Sequence, residues 1–179
     1  MLDVVVQQTM SAPETAADEL AERWGVGVDL WSATSYKKIR EEALAVERRN
    51  RLHPADEPLA PLVTRLLIGG EGPVVAISDY MKLVPGQIAQ WVPRPFHVLG
   101  TDGFGRSDTR EALRRFFEVD AGHVVVAVLS ALAEAGAVER SVVAEAIAHH
   151  DIDPDTPDPG RHDTVPATGQ GVGRSDTSG

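Results

Sequence analysis

The 179-residue chain carries 27 acidic against 17 basic side chains, a formal charge of −10 on a sequence that is 42% hydrophobic. That length fits one domain with a tail, and the acidic balance argues against a phosphate-backbone partner, because sequence-independent nucleic-acid affinity rests on clustered Lys and Arg. No cysteine is present, which excludes a disulfide framework, a thiolate zinc cluster and a Cys nucleophile, and makes a reducing cytoplasm the expected compartment.

Asp3 stands where a secretory signal carries Lys or Arg, and no later segment is read as a membrane span. Val4, Val5 and Val6 form a first β-branched strand. Ser11 can cap a helix that tolerates Pro13 in its first turn, places Ala16, Ala17, Leu20 and Trp24 at helical spacing and stops at Gly25. Val26 to Trp31 reads as a second strand. Ser35 caps a charged helix from Tyr36 to about Arg49, ended by His53 and Pro54. Leu59 to Ile68 is expected to be a helix closed by Gly69 and Gly70. Val74-Val75-Ala76-Ile77 is short and uniformly apolar, as a strand covered on both faces should be.

A helix through Ile88 and Trp91 ends at Pro93, and Phe96 to Leu99 is a further strand. Gly100 to Asp108 is a glycine-punctuated loop, after which Asp108 and Glu111 suggest a capping box and a helix to about Phe117. Asp120 caps a long apolar helix stopped by Gly136, and Val142, Val143, Ala146 and Ile147 share a face of the last helix. From Pro154 onward large apolar side chains are almost absent, so 1–153 is read as the folded domain and 154–179 as a disordered Pro/Gly/Asp-rich tail. Strands alternating with helices predict a layered α/β fold.

Two places suggest a binding cleft. Asp79, Tyr80 and Lys82 follow the buried strand, where residues past a carboxyl end face a cleft in open α/β sheets; alternatively Ser78 or Asp79 starts a helix and Lys82 is solvated. In the loop holding Asp102, Gly103, Phe104, Gly105, Arg106, Ser107 and Asp108, a strand, a glycine turn and a helix start present backbone N–H groups to an anion. Its G-x-x-G-x-G spacing matches neither common phosphate loop. The alternative is a tight turn in which Phe104 packs and Arg106 pairs with an acid. The six histidines show no metal-ligand pattern, with His149 and His150 expected to point apart on a helix, and no G-x-S-x-G elbow is present. No catalytic, cofactor-binding or metal residue is assigned.

Longer strings carry a resemblance. Ser78-Asp79-Tyr80-Met81-Lys82, the run Val98 to Arg110, Phe117-Glu118-Val119-Asp120, Asp29 to Tyr36 and Glu47 to Pro54 together resemble the C-terminal end of the homodimeric, thiamine-diphosphate-dependent pyruvate dehydrogenase component. The resemblance runs from about Thr15 to Asp153 and implies a transketolase-type C-terminal domain, a three-layer α/β/α sandwich on a mostly parallel sheet of four to five strands with one antiparallel strand. It further implies that thiamine diphosphate and magnesium belong to two larger domains, with none bound by this chain alone. The Gly-Asp-Gly motif with its asparagines is missing, and Thr101-Asp102-Gly103 matches it only in letters.

The implied partners are those other domains, a second subunit of a homodimer and the lipoyl-bearing acyltransferase, with no nucleic acid or membrane. Gln7 to Ser11 and the segment after Asp163 depart from the family pattern, as the edges of a truncated gene would. The expected function is a C-terminal domain or fragment with a structural and dimer-contact role and no activity alone. The alternative is a stand-alone ligand-binding or regulatory module using the Gly100–Asp108 loop.

Overall fold

The computed structural model describes residues 2–7, 12–103 and 105–160. The strands are β1 (Leu2–Gln7), β2 (Val28–Ala33), β3 (Val74–Ile77) and β4 (Phe96–Leu99). The α-helices are α1 (Ala12–Trp24), α2 (Tyr36–Leu52), α3 (Leu62–Leu67), α4 (Leu83–Gly86), α5 (Arg110–Phe116), α6 (Ala121–Glu134) and α7 (Arg140–His149). The four strands form one sheet in the order β2-β1-β3-β4, and every pairing is parallel. The antiparallel strand implied by the resemblance is absent among the described residues, which form helices and turns beyond β4.

Helices cover both faces of this sheet, and β3 shows why. Its four side chains are fully buried and alternate between two cores. Val75 and Ile77 join Leu20 of α1, Val124, Val128 and Leu129 of α6 and Ala146 of α7. Val74 faces the other way, with Tyr36 of α2, Val63 and Leu67 of α3, Ile88 and Trp91. Burying an aliphatic side chain contributes about 1.5–3 kcal/mol, so cover on both faces reinforces the β preference of Val74, Val75 and Ile77 in this four-residue strand.

Local signals set the helix ends. Gly25 at φ 66 closes α1, and Gly136 at φ 74 follows α6. The Ser35 hydroxyl accepts from Lys38 N at 3.3 Å and the Asp120 carboxylate from His123 N at 2.9 Å. The expected Ser11 cap lies outside the described residues. The expected helix from Leu59 starts only at Leu62, since Pro61 disfavours helical angles at Ala60. There Asn50 holds Leu59 by both amide atoms, its Nδ2 donating to Leu59 O at 2.8 Å and its Oδ1 accepting from Leu59 N at 2.9 Å. The expected helix through Ile88 is the short α4 followed by a 3-10 turn at Ala89–Trp91.

Arg110–Glu134 has the length and hydropathy of a membrane span. Glu118 at φ 59 and the Asp120 cap break it into α5 and α6, and α6 is packed under the sheet. Where the sequence suggests a disordered tail, residues 154–160 form turns, with Asp155 N donating to Asp153 Oδ1 at 3.0 Å.

Candidate functional site: a cleft at the carboxyl edge of β3 and β4

Two loops leave the carboxyl ends of β3 and β4 and are bound to each other through their backbones. Ser78 N donates to Leu99 O at 3.1 Å, and Thr101 N donates to Tyr80 O at 3.0 Å. The Thr101 hydroxyl donates to Asp79 O at 2.8 Å. Lys82 N donates to Asp102 Oδ1 at 2.9 Å. This closeness demands glycine at 100, where a Cβ would lie 2.6 Å from Tyr80 O and 2.8 Å from Lys82 N. Gly103, at φ 120, has the Pro159 carbonyl against the place of its missing Cβ, so residues 158–160 cap this corner of the loop.

Beyond the corner lies a half-open cleft of about 630 Å³. Asp79, Thr101, Gly103, Gly105 and Arg106 form one wall, and Arg110, Leu113, Arg114, Phe117 and Val119 form the other. Arg110 and Arg114 are one turn apart on α5 and so share a face. The Arg114 Nε is buried without a hydrogen-bond partner. Arg106 lies 4.8 Å over the Phe116 ring and 3.8 Å from Asp108 Oδ2, so its guanidinium is held at the rim by a cation–π contact and a weak ion pair. With Arg106 paired to Asp108, Arg110 and Arg114 outweigh the one lining carboxylate, Asp79, and give the cleft a positive balance, the chemistry that receives a carboxylate or phosphate oxygen.

The structure therefore brings together Asp79, Gly103, Gly105 and Arg106 of the residues singled out in the sequence. Tyr80 is 59% exposed and engages through its backbone, and Lys82 precedes α4 without lining the cleft. Asp102 is committed to the Lys82 amide. Ser107 is exposed outside the cleft, and Phe104 lies outside the described residues. Asp108 is not the helix cap: its Oδ1 accepts from Thr109 N at 2.8 Å, and the Thr109 hydroxyl caps α5 by accepting from Ala112 N at 3.2 Å. Sequence reasoning missed Arg110 and Arg114, whose i, i+4 spacing directly after the loop was the available signal.

A second surface is apolar. Trp31, Ile39, Leu62, Leu66, Ile88 and Phe96 line a groove of about 220 Å³ between the β2 edge of the sheet and α3. Ile68 and Leu83 are 67% and 72% exposed elsewhere on the surface. The groove, along which Trp31, Leu62 and Leu66 are exposed, offers an apolar interaction surface.

The sequence profile of the transketolase-like TK C-terminal domain matches residues 8–120. The chain belongs to this family. It is 54% identical over 147 residues to the pyruvate dehydrogenase E1 component of Pseudomonas aeruginosa, covering 82% of this chain and 17% of that protein. It is 47% identical over 145 residues to the pyruvate dehydrogenase E1 component of Escherichia coli, and 46% identical over 144 residues to that of Mycobacterium tuberculosis. Each of these two matches covers 80% of this chain and 16% of the relative. The chain thus spans about a sixth of the length of the curated relatives it matches.

Proposed function

We propose that this chain acts as the C-terminal domain of a cytoplasmic pyruvate dehydrogenase E1 component, which decarboxylates pyruvate and passes the acetyl group to a lipoyl-bearing acyltransferase. Its role there is structural: it packs against the remaining domains of the enzyme and the second subunit of a homodimer. The observation that carries this reading is the 54% identity across 82% of the chain. The apolar groove beside β2 and the exposed Ile68 and Leu83 supply surfaces such packing would cover.

Thiamine diphosphate and magnesium belong to the proposed whole enzyme, and the residues described here do not fit them. Asp102 uses its Oδ1 on the Lys82 amide, the Pro159 carbonyl crowds Gly103, and the one asparagine of the chain, Asn50, is engaged with Leu59. A diphosphate-bound magnesium needs several unengaged oxygen ligands, so no step of the reaction is assigned to this chain. The test is a steady-state assay with pyruvate, thiamine diphosphate, magnesium and ferricyanide. No dye reduction by the purified chain is expected, and turnover would overturn the proposal.

The arginine-lined cleft favours a second reading, a ligand-binding or regulatory module that captures an anion at the Gly100–Asp108 loop. Calorimetry of the chain against phosphate, nucleotide and thiamine diphosphate separates the two, since the structural reading expects no heat from any of them.

A further inference from the structure

We propose that Glu19, His149 and His150 form a binding site for a divalent transition-metal ion of the zinc class, joining α1 to the end of α7. The three side chains offer two imidazole nitrogens and one carboxylate oxygen, all within 4.8 Å of one another. Glu19 Oε1 stands 3.0 Å from His150 Nε2 and 3.8 Å from His149 Nε2. A tetrahedral zinc ion with bonds of 2.0–2.1 Å spaces its ligand atoms about 3.3 Å apart. These two separations bracket that spacing, and the His149 side chain, 38% exposed, has room to close on an ion.

The surroundings position two of the ligands. Trp24 Nε1 donates to Glu19 Oε1 at 3.3 Å, orienting the carboxylate from behind as a supporting hydrogen bond does in metal sites. His150 packs on Gly122 so closely that a Cβ there would meet its Cγ at 2.9 Å, which fixes the ring. His150 Nε2 is buried and makes no well-aligned hydrogen bond, although the carboxylate oxygen is 3.0 Å away. A cation seated between them would use both lone pairs. Three protein ligands leave a fourth position for water on the exposed His149 side. Neighbouring residues in mid-helix point about 100° apart, but His149 ends α7 and His150 is its C-cap, so the rings instead meet edge to face at 4.9 Å. Nitrogen-rich N₂O donor sets favour zinc, copper or nickel over magnesium or calcium.

The experiment is titration of the 179-residue chain with zinc chloride by calorimetry, with cobalt(II) absorption as a report of coordination geometry. One zinc ion per chain is expected, with a tetrahedral-type cobalt spectrum. Zinc at a hundredfold excess over Kd should raise the melting midpoint by about 5–10 °C. His149→Ala and Glu19→Gln should each weaken binding by at least about tenfold, while His53→Ala leaves it unchanged. His149→Ala alters an exposed side chain, and circular dichroism of the variant checks that the fold is kept. Absence of binding at about 1 mM zinc, far weaker than protein metal sites of this class, would overturn the proposal. Equal affinity in the wild type and in both ligand variants would overturn it as well.

Discussion

Replacing Asp120 tests how the helices behind the cleft are held. Its Oδ1 accepts from His123 N at 2.9 Å and lies 2.6 Å from His123 Nδ1, while Oδ2 accepts from Arg115 Nη1 at 3.3 Å. Arg115 in turn donates through Nη2 to His150 O at 3.0 Å and Asp151 O at 2.6 Å. One carboxylate thus starts α6 and links α5 to the end of α7. Burial acts to raise the Asp120 carboxyl, but the His123 and Arg115 interactions prevail and hold it at about 2, against an ordinary 3.8. The folded value lies below the unfolded one, so the stabilisation is complete above about pH 4 and is lost as the pH falls through about 2.

That depression amounts to about 2 kcal/mol at pH 5, since each unit is worth about 1.4 kcal/mol. Asn caps a helix about as well as Asp, so Asp120→Asn should cost about 2 kcal/mol and Asp120→Ala about 1 kcal/mol more. Urea unfolding followed by far-UV circular dichroism at pH 7, 5 and 3 reads both. The gap between the wild type and Asp120→Asn should shrink to about half at pH 3. A gap of the same size at pH 3 and pH 5 would refute the electrostatic reasoning, and equal costs for Asn and Ala would refute the cap.

Gly100→Ala places a methyl group against two backbone atoms, Tyr80 O and Lys82 N, and should destabilise the chain by about 1–3 kcal/mol, with faster proteolysis in the Gly100–Asp108 loop. An unchanged melting midpoint and digestion pattern would contradict the close approach. Tyr36 is 2% exposed with no hydrogen-bond partner for its hydroxyl, and burial pushes the phenol pKa up. Tyr36→Phe removes a desolvated polar atom and should be neutral or stabilising by about 1 kcal/mol in thermal melts, whereas a clear loss would show that the hydroxyl has a partner. Ile68→Ser with Leu83→Ser should reduce self-association in sedimentation velocity at unchanged stability, because both side chains are exposed. A wild-type chain that sediments as a monomer at all concentrations would contradict the reading of Ile68 and Leu83 as packing surface.

Much of the fold could be read in the sequence wherever one residue type leaves the backbone a single option. Gly25 and Gly136 stop helices at positive φ, Ser35 and Asp120 cap them, and Val74 to Ile77 is apolar on both faces because both faces are covered. The readings that failed involve choices between neighbours or partners distant in sequence. Thr109 displaces Asp108 as the α5 cap by one residue. Leu59 is kept out of the helix by Pro61 and then held by Asn50, nine residues earlier. His149 and His150 escape the mid-helix rule because α7 ends between them and Glu19 arrives from α1. In the cleft, Asp79 and Arg106 were visible as residues past strand ends, whereas Arg110 and Arg114 joined them only when α5 folded back across the loop.

A chimera tests the proposed role most directly: this chain takes the place of the matching 17% of the Pseudomonas aeruginosa pyruvate dehydrogenase E1 component, and pyruvate-dependent ferricyanide reduction is measured. The account predicts an active dimeric chimera beside an inactive E1 lacking that segment and an inactive isolated chain. A folded chimera without activity, or turnover by the isolated chain, would contradict it.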